Sequence, residues 1–278
     1  MIATKLATRR VEKPWGRTHL LPGFPNPAPG EPPIGEVWFQ TPDDTASELL
    51  VKYLFTGETL SVQVHPNDAQ ARAAGESRGK DECWFILGAE PDSRIAIGTT
   101  EPLGEAQLRA AALDGSIEGL LDWKRVKVGD FYYSPANTIH AIGAGITMIE
   151  VQQNSDTTYR LYDYGRPRAL HLDQGVSVAN AVPWVPPTAP GEIAAGRTIL
   201  VEGPKFVLER WSGGDRSIAL PHATKGWLVV VTGEGSIGGV DFAAGECLTV
   251  AGSGTVRASE GSDLLFAYPG AVRMLDAG

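Results

Sequence analysis

The sequence predicts a mainly β protein with a few short helices. Its 278 residues include 33 glycines and 20 prolines, which divide the chain into short segments of the kind that turns join into sheets. Several segments mix β-branched and aromatic residues, as strands do. The predicted strands are 61–64, 83–87, 94–97, 147–151 and 226–231.

Two stretches fit helices, and two fit loops. Segment 103–113 follows a proline at the helix start, and a second short helix is predicted over 116–121. Segment 22–35 is so rich in proline and glycine that we expect a loop. The similar segment 183–196 is predicted to link an N-terminal domain (1–182) to a C-terminal domain (197–278).

Composition and charge exclude several classes of protein. The net charge of −9 and pI near 5.1 argue against nucleic-acid or anionic-membrane partners, so an anionic substrate would need a local basic pocket. Cys83 and Cys247 cannot form a disulfide framework. Pro14 and Gly16 interrupt the start of the chain, where a signal peptide needs an apolar run. We expect a cytoplasmic protein, and its oligomeric state stays open.

Four residues have the types and spacing of a metal site. Gln63 and His65 lie two apart in a predicted strand and so share a face. Glu82 opens a second apolar strand, and His140 follows a turn that begins at Pro135. Mixed imidazole, carboxylate and amide ligands suit a borderline divalent ion. Zinc is the leading candidate, with Mn²⁺, Co²⁺ and Fe²⁺ as alternatives.

The order of these residues resembles the two sequence motifs of the cupin superfamily. The resemblance implies a jelly-roll barrel with the metal inside it. The sequence departs from the motifs at Gln63, where a histidine is usual, at Asn137, where a glycine is usual, and at Ala144, where an asparagine is usual. It also places 16 residues between His65 and Glu82. We expect this longer connection, 68–80, to form a loop over the rim of the site.

A narrower resemblance rests on six phrases. These are EKPWG (12–16), GEVWF (35–39), LSVQVHPND (60–68), GKDECWFIL (79–87), IHAIGAG (139–145) and QNSDTTYRLYDYGR (153–166). Together they resemble type I mannose-6-phosphate isomerase in its short bacterial form, over most of residues 11–175. The resemblance implies one zinc ion per chain, bound by Gln63, His65, Glu82 and His140, and an active-site arginine at Arg160.

The family's reaction interconverts mannose 6-phosphate and fructose 6-phosphate through a cis-enediol. Negative charge develops on the sugar oxygens, and a Lewis-acidic metal and the guanidinium of Arg160 can stabilise it. Glu150, Asp156 and Lys80 are the candidates for proton transfer, and the sequence does not separate them. The resemblance further suggests Ser61, Lys80 and Arg166 as substrate contacts.

The C-terminal segment repeats cupin-like phrasing without the ligands. Lone His222 has no partner that would complete a second site. We therefore expect a degenerate second barrel that packs on the first and buries its outer sheet.

Two rival functions remain. One is an isomerase of another sugar phosphate or a free aldose, because pocket contacts rather than the metal set specificity. The other is a non-catalytic sugar-binding cupin, for which Arg160 and Lys80 would have no use.

Overall fold

Strands dominate the computed structural model, which describes residues 1–20, 23–42, 47–188 and 191–270. The helices in chain order are α1 (Asp68–Ala73), α2 (Glu105–Asp114), α3 (Ile117–Leu120) and α4 (Leu172–Val178). The strands in chain order are β1 (Ile2–Lys5), β2 (Ala7–Arg17), β3 (Ile34–Gln40), β4 (Leu49–Phe55), β5 (Val62–Val64), β6 (Glu82–Ala89), β7 (Arg94–Thr99), β8 (Leu121–Arg125), β9 (Phe131–Ser134), β10 (His140–Ile142), β11 (Ile146–Gln153), β12 (Tyr159–Tyr162), β13 (Gly191–Ala194), β14 (Arg197–Glu202), β15 (Phe206–Ala219), β16 (Lys225–Thr232), β17 (Glu234–Ile237), β18 (Val240–Ala243), β19 (Cys247–Ala251) and β20 (Ser253–Pro269). The mainly β fold class is confirmed.

The predicted elements agree with most of these bounds. Each of the five predicted strands overlaps an observed one, and both predicted helices are present as α2 and α3. The predicted loop 22–35 is irregular from residue 23 to residue 33, and β3 then begins at Ile34. Residue 22, residues 189–190 of the predicted linker and residues 271–278 lie outside the described residues. Among the described residues, no helix has the length and apolarity to cross a membrane.

The loop prediction for 68–80 is wrong over its first half, which forms α1. The Asn67 side chain accepts hydrogen bonds from the backbone N–H groups of Ala69 and Gln70, and the Gln70 side chain accepts one from the Asn67 N–H. This reciprocal capping satisfies donors that a short helix otherwise leaves free. Helix α4 is likewise absent from the sequence predictions.

The described strands form three sheets. The first has the order β12-β5-β10-β7-β8, and the second has the order β2-β3-β4-β11-β6-β9. The third, the C-terminal sheet, has the order β1-β19-β16-β20-β15-β14-β13, with β17 and β18 attached. Strand β1 pairs with β19, and β13, inside the predicted linker, pairs with β14. Two segments that precede residue 197 therefore belong to the C-terminal sheet.

Layers of buried apolar side chains pack on both faces of the sheets, because successive residues of a strand point to opposite faces. Val62 and Val64 of β5 pack with helices α2 and α4 on the outer face of the first sheet. Trp84 and Ile97 belong to the layer between the first and second sheets. A third layer joins the second sheet to the C-terminal sheet, with members that include Val51, Tyr53, Phe85, Tyr133, Phe206, Trp227 and Leu265. The C-terminal sheet thus covers the outer face of the second sheet.

The third layer generates a stability prediction. Phe206 is fully buried there and meets the ring of Tyr133 edge-on, with ring centroids 5.9 Å apart. Phe206→Ala should lower the free energy of unfolding by about 3–5 kcal/mol, measured from the urea midpoint. Val128→Ala, at a side chain that is 65% exposed, is the control and should change it by less than about 0.5 kcal/mol. A Phe206→Ala loss as small as that of the control would show that the two halves do not depend on this contact.

Candidate metal centre

Strand alternation brings the predicted ligands of the first sheet to its inner face. Val62 and Val64 point to the outer core with the helices, so Gln63 between them points inward. On the neighbouring β10, Ala141 points outward and His140 inward. Gln63 and His140 are direct cross-strand partners. The short β5 and β10 thus present an amide and an imidazole side by side.

Glu82 approaches from the second sheet, where it begins β6. Its Oε1 lies 3.5 Å from His65 Nε2 and 3.1 Å from His140 Nε2. All three side chains are at most 1% exposed, and their three ligand atoms lie within 4.8 Å of one another. Two sheets therefore deliver three donors to one buried point.

Backbone carbonyls orient both histidine rings. His65 Nδ1 lies 2.9 Å from the carbonyl oxygen of Thr157, and His140 Nδ1 lies 3.0 Å from that of Thr138. A carbonyl oxygen only accepts, so each Nδ1 carries the proton and donates it. Each Nε2 then presents its lone pair to Glu82, which is the arrangement that outer hydrogen bonds impose on metal-binding histidines. The Gln63 carboxamide, 3.1 Å from His140 Nε2, can turn its oxygen to the same point.

The charge state of the cluster fits a divalent cation. Both Glu82 oxygens are buried and accept no hydrogen bond, although Lys80 Nζ forms an ion pair with Oε2 at 3.1 Å. Burial alone would raise the pKa of Glu82, but Lys80, His65 and His140 hold it well below its usual range. Burial and the charge of Lys80 lower the pKa of His65 to about 4. A neutral His65 imidazole beside an ionised Glu82 carboxylate fits the protonation states that a bound metal requires.

Asn137 joins the turn before His140 to the connection after His65. Its φ of 73° lies in the left-handed region, which glycine occupies freely and asparagine tolerates better than most residues. Its backbone N–H donates to the His65 carbonyl at 2.8 Å, and its side chain donates to Gln70 Oε1 at 2.7 Å. This geometry explains why asparagine can replace the glycine of the cupin motif.

The cluster lies beside a cleft of about 360 Å³. The predicted site residues that line it are Ser61, Gln63, Lys80, Glu150, Asp156 and Arg160. The sequence analysis missed further charged and aromatic lining residues, which are Lys13, Trp15, Glu36, Trp38, Lys52 and Arg168. Basic side chains are therefore concentrated in one cleft of a protein whose net charge is −9.

Arg160 reaches the cleft because it pairs with Gln63 across β12 and β5. Its Nη1 donates to the carbonyl of Ala169 at 2.8 Å, and its buried Nε has no hydrogen-bond partner. Burial and the nearby charge of Arg168 lower its pKa. A buried donor without a partner at the edge of a cleft is available to a ligand.

The structure does not place Arg166 among the cleft residues. Its guanidinium donates to Asp163 Oδ1 at 3.1 Å and to the carbonyl of Thr59 at 2.5 Å. Arg168 lines the cleft in its place and is held on Asp163 by two hydrogen bonds of 2.6 Å. Both arginines follow a turn in which sequence order gives no side-chain direction, so the sequence could not distinguish them.

A buried ion pair forms the opposite wall of the cleft. Lys52 and Glu150 are cross-strand partners on β4 and β11, with Lys52 Nζ 2.8 Å from Glu150 Oε1 and 3.9 Å from Glu36 Oε2. Trp84 Nε1 donates to Glu150 Oε2 at 3.0 Å. Burial would lower the pKa of Lys52, but Glu150 and Glu36 raise it. The signal for this pair was a lysine inside the otherwise apolar strand LLVKYLF.

The protein is therefore of the mainly β, cupin-type class, with a His-Glu-His cluster between two antiparallel sheets. No family model matches the chain.

Relatives of known name identify the family. A mannose-6-phosphate isomerase of Streptococcus mutans is 40% identical over 176 residues, which cover 59% of this chain and 54% of the relative. The probable mannose-6-phosphate isomerase GmuF of Bacillus subtilis is 33% identical over 221 residues, which cover 73% of this chain and 70% of the relative. The chain belongs to the mannose-6-phosphate isomerase family. It spans about half the length of the Streptococcus relative and of ManA from B. subtilis, at 54% and 45%.

Solved structures agree with this assignment. The mannose 6-phosphate isomerase of B. subtilis superimposes with a TM-score of 0.77 at 26% identity, over 95% of this chain and 98% of that one. A zinc-bound mannose 6-phosphate isomerase shares the fold with a TM-score of 0.71 at 18% identity, over 96% of this chain and 99% of that one. The resemblance stated from the six sequence phrases is confirmed.

The buried ion pair generates a second stability prediction. Glu150→Gln leaves the Lys52 charge buried with only Glu36, at 3.9 Å, nearby, so the free energy of unfolding should fall by about 3 kcal/mol. Adding Lys52→Met to Glu150→Gln removes the orphaned charge and should restore at least half of the loss. Chemical denaturation measures both. A double variant that is less stable than Glu150→Gln alone would contradict this account.

Proposed function

We propose that the protein is an aldose-ketose isomerase that interconverts mannose 6-phosphate and fructose 6-phosphate with one divalent metal ion per chain, with zinc as the leading candidate. Gln63, His65, Glu82 and His140 would hold the ion. The observation that carries the proposal is the buried cluster of two histidines and one carboxylate, whose oxygens accept no hydrogen bond, beside a basic cleft. The family membership of the chain agrees with it.

The cleft residues have complementary tasks in this reaction. Bound metal supplies Lewis-acid stabilisation of the charge that develops on the sugar oxygens. Arg160 offers its unpartnered Nε to the same developing charge. Lys13, Lys80 and Arg168 provide positive charge for a phosphate group, which is close to a dianion at neutral pH. Ser61 lines the same cleft as a hydroxyl donor.

Proton transfer between C1 and C2 needs a group that removes and returns a proton. Glu150 lines the cleft but is engaged by Lys52 and Trp84. Lys80 is buried against Glu82, and Asp156 is exposed at the cleft. Each can exchange a proton with a bound sugar if the substrate comes within hydrogen-bonding reach. All three remain candidates.

We propose that the chain forms two cupin-type barrels, in residues 1–182 and 197–278, joined by the linker 183–196, with the metal site in the first barrel. The layered packing of the three sheets supports this division. Strands β1 and β13 pair with β19 and β14, so the second barrel would also include residues 2–5 and 191–194, which lie outside its predicted bounds. The cytoplasmic location stays a prediction.

Two observations bear on the rival functions. A non-catalytic sugar-binding cupin would not need a buried, unpartnered Arg160 Nε or a lysine 5% exposed at position 80. An isomerase of another sugar phosphate would keep both groups and differ in its contacts to the sugar. Coupled assays over mannose 6-phosphate, other aldose phosphates and free mannose separate these functions by their kcat/KM values.

Metal retention tests the ligand set. Glu82→Gln and His140→Ala should each reduce the zinc retained after gel filtration at least tenfold, because each variant removes a donor from a site that leaves little room for a substitute. His222→Ala is the control, since that residue is exposed and belongs to the other half of the chain. Elemental analysis measures zinc per chain. Unchanged zinc in both ligand variants would refute the assignment.

Arg160 tests the chemistry separately from the metal. Arg160→Ala should lower kcat for mannose 6-phosphate about 10²–10³-fold, the usual cost of losing one donor to developing charge. Zinc content and thermal stability should stay near those of the unmodified protein, because the hydrogen bond of the Arg160 side chain goes to the Ala169 carbonyl and not to His65, Glu82 or His140. Near-normal turnover of Arg160→Ala would remove it from the proposed mechanism.

A further inference from the structure

Three successive backbone amides fix the segment that carries Lys80. The Gly79 N–H donates to Asp68 Oδ1 at 2.8 Å, and the Asp81 N–H donates to Gln153 Oε1 at 3.0 Å. The Lys80 N–H itself donates to the carbonyl of Pro66 at 3.1 Å. The Gln153 side chain also donates to Asp68 Oδ1 at 3.0 Å. Asp68 is therefore the acceptor that connects both flanks of Lys80.

The second oxygen of Asp68 belongs to the C-terminal half of the molecule. Lys205 Nζ lies 2.6 Å from Asp68 Oδ2. Lys205 is at the tip of the tight hairpin between β14 and β15, which the Gly203 N–H closes on the carbonyl of Phe206 at 3.0 Å. Although burial opposes the shift, the hydrogen bonds from Lys205, Gly79 and Gln153 lower the pKa of Asp68 to about 2. Asp68 stays ionised at neutral pH and can hold both partners.

The same hairpin touches the other flank of Lys80. The Tyr133 hydroxyl donates to Asp81 Oδ2, and the Tyr133 ring contacts Phe206. A Cβ atom at Gly203 would lie only 2.8 Å from the Tyr133 oxygen, so a side chain at that position would displace the ring. Residues 203–206 thus contact Asp68, which accepts a hydrogen bond from the Gly79 N–H, and Tyr133, which donates one to the Asp81 side chain.

We propose that the hairpin 203–206 of the C-terminal half positions Lys80 in the cleft, and that Lys205 is a positioning residue that acts through Asp68. The inference rests on the proposed function, in which Lys80 meets the substrate. It assigns the C-terminal half a task in the site although that half contributes no donor to the His65, Glu82 and His140 cluster. Lys205 itself lies away from the residues that line the cleft.

The size of the effect follows from the exposure of the pair. The Lys205 and Asp68 side chains are 30% and 22% exposed, and ion pairs of this kind are individually weak. Lys205→Met should therefore lower kcat for mannose 6-phosphate about twofold to fivefold, the range that such a pair can contribute. Lys205→Arg keeps the charge and should stay within about twofold of the unmodified protein.

A matched control separates positioning from general loss of a salt bridge. Lys5 of β1 forms an ion pair with Glu246, in the turn before β19, at 2.7 Å with exposures of 43% and 31%, and neither residue lines the cleft. Lys5→Met should leave kcat and KM unchanged. All variants are compared as the whole 278-residue chain loaded with zinc, with the thermal midpoint recorded for each.

Two further readouts test the route through Asp68. In an Asp68→Asn background, Lys205→Met should change kcat by less than about 1.5-fold, because residues that act in one chain of contacts are not additive. Hydrogen-deuterium exchange of the peptide that contains residues 79–81 should accelerate in Lys205→Met and not in Lys5→Met, since the Asp68 carboxylate that accepts from the Gly79 N–H and from Gln153 is held less firmly.

The outcomes separate this inference from the proposed function. An unmodified protein that turns over no sugar phosphate would refute the proposed function, and the exchange experiment would still test the positioning of 79–81. An active protein in which Lys205→Met matches Lys5→Met in kcat and in exchange would overturn the inference. Additive effects of Lys205→Met and Asp68→Asn on kcat would also overturn it.

Discussion

The rest of the site depends on one electrostatic constraint, which is the convergence of two imidazole lone pairs and an ionised carboxylate in a space closed to water. His65 Nε2 and His140 Nε2 both face Glu82 Oε1. Nitrogen lone pairs and a carboxylate charge at such distances repel one another unless a cation lies among them. The carbonyls of Thr157 and Thr138 hold the rings in this orientation. Lys80 Nζ supplies one positive charge, 3.1 Å from Glu82 Oε2, and the fold keeps the two imidazoles and the carboxylate converging on a point where a divalent ion would add to that stabilisation.

Sheet geometry explains how the cleft and a packed core share the same strands. On β11, Ile149 and Val151 enter the layer against the C-terminal sheet, and Glu150 between them points to the cleft. On β4, Val51 and Tyr53 pack in that same layer while Lys52 meets Glu150. Strand alternation thus places the side chains of one face of β4 and β11 in the packed core and those of the other face in the cleft. Through the same layer, the C-terminal half packs directly against the strands that carry the site.

The sequence predicts the site better where spacing determines side-chain direction than where loops do. The interval from Gln63 to His65 places both on one strand face, and the structure brings His65, Glu82 and His140 together. Strand period alone could not decide which way Glu150 points, because the sheet has buried faces on both sides. Helix α1, the exchange of Arg166 for Arg168 at the cleft and the link from Lys205 to Asp68 depend on turns and tertiary contacts. The Lys205 contact joins residues 137 positions apart, which no local pattern encodes, whereas the capping of α1 and the Asp163 contacts of the two arginines are local but depend on side-chain directions that strand period does not give.

The most direct test of the central claim combines elemental analysis of the purified protein with an isomerase assay on mannose 6-phosphate before and after chelation. The account predicts close to one zinc or other divalent ion per chain, loss of activity when chelation removes it, and recovery when the ion returns. A protein that isomerises mannose 6-phosphate at an undiminished rate with its metal removed would contradict the account.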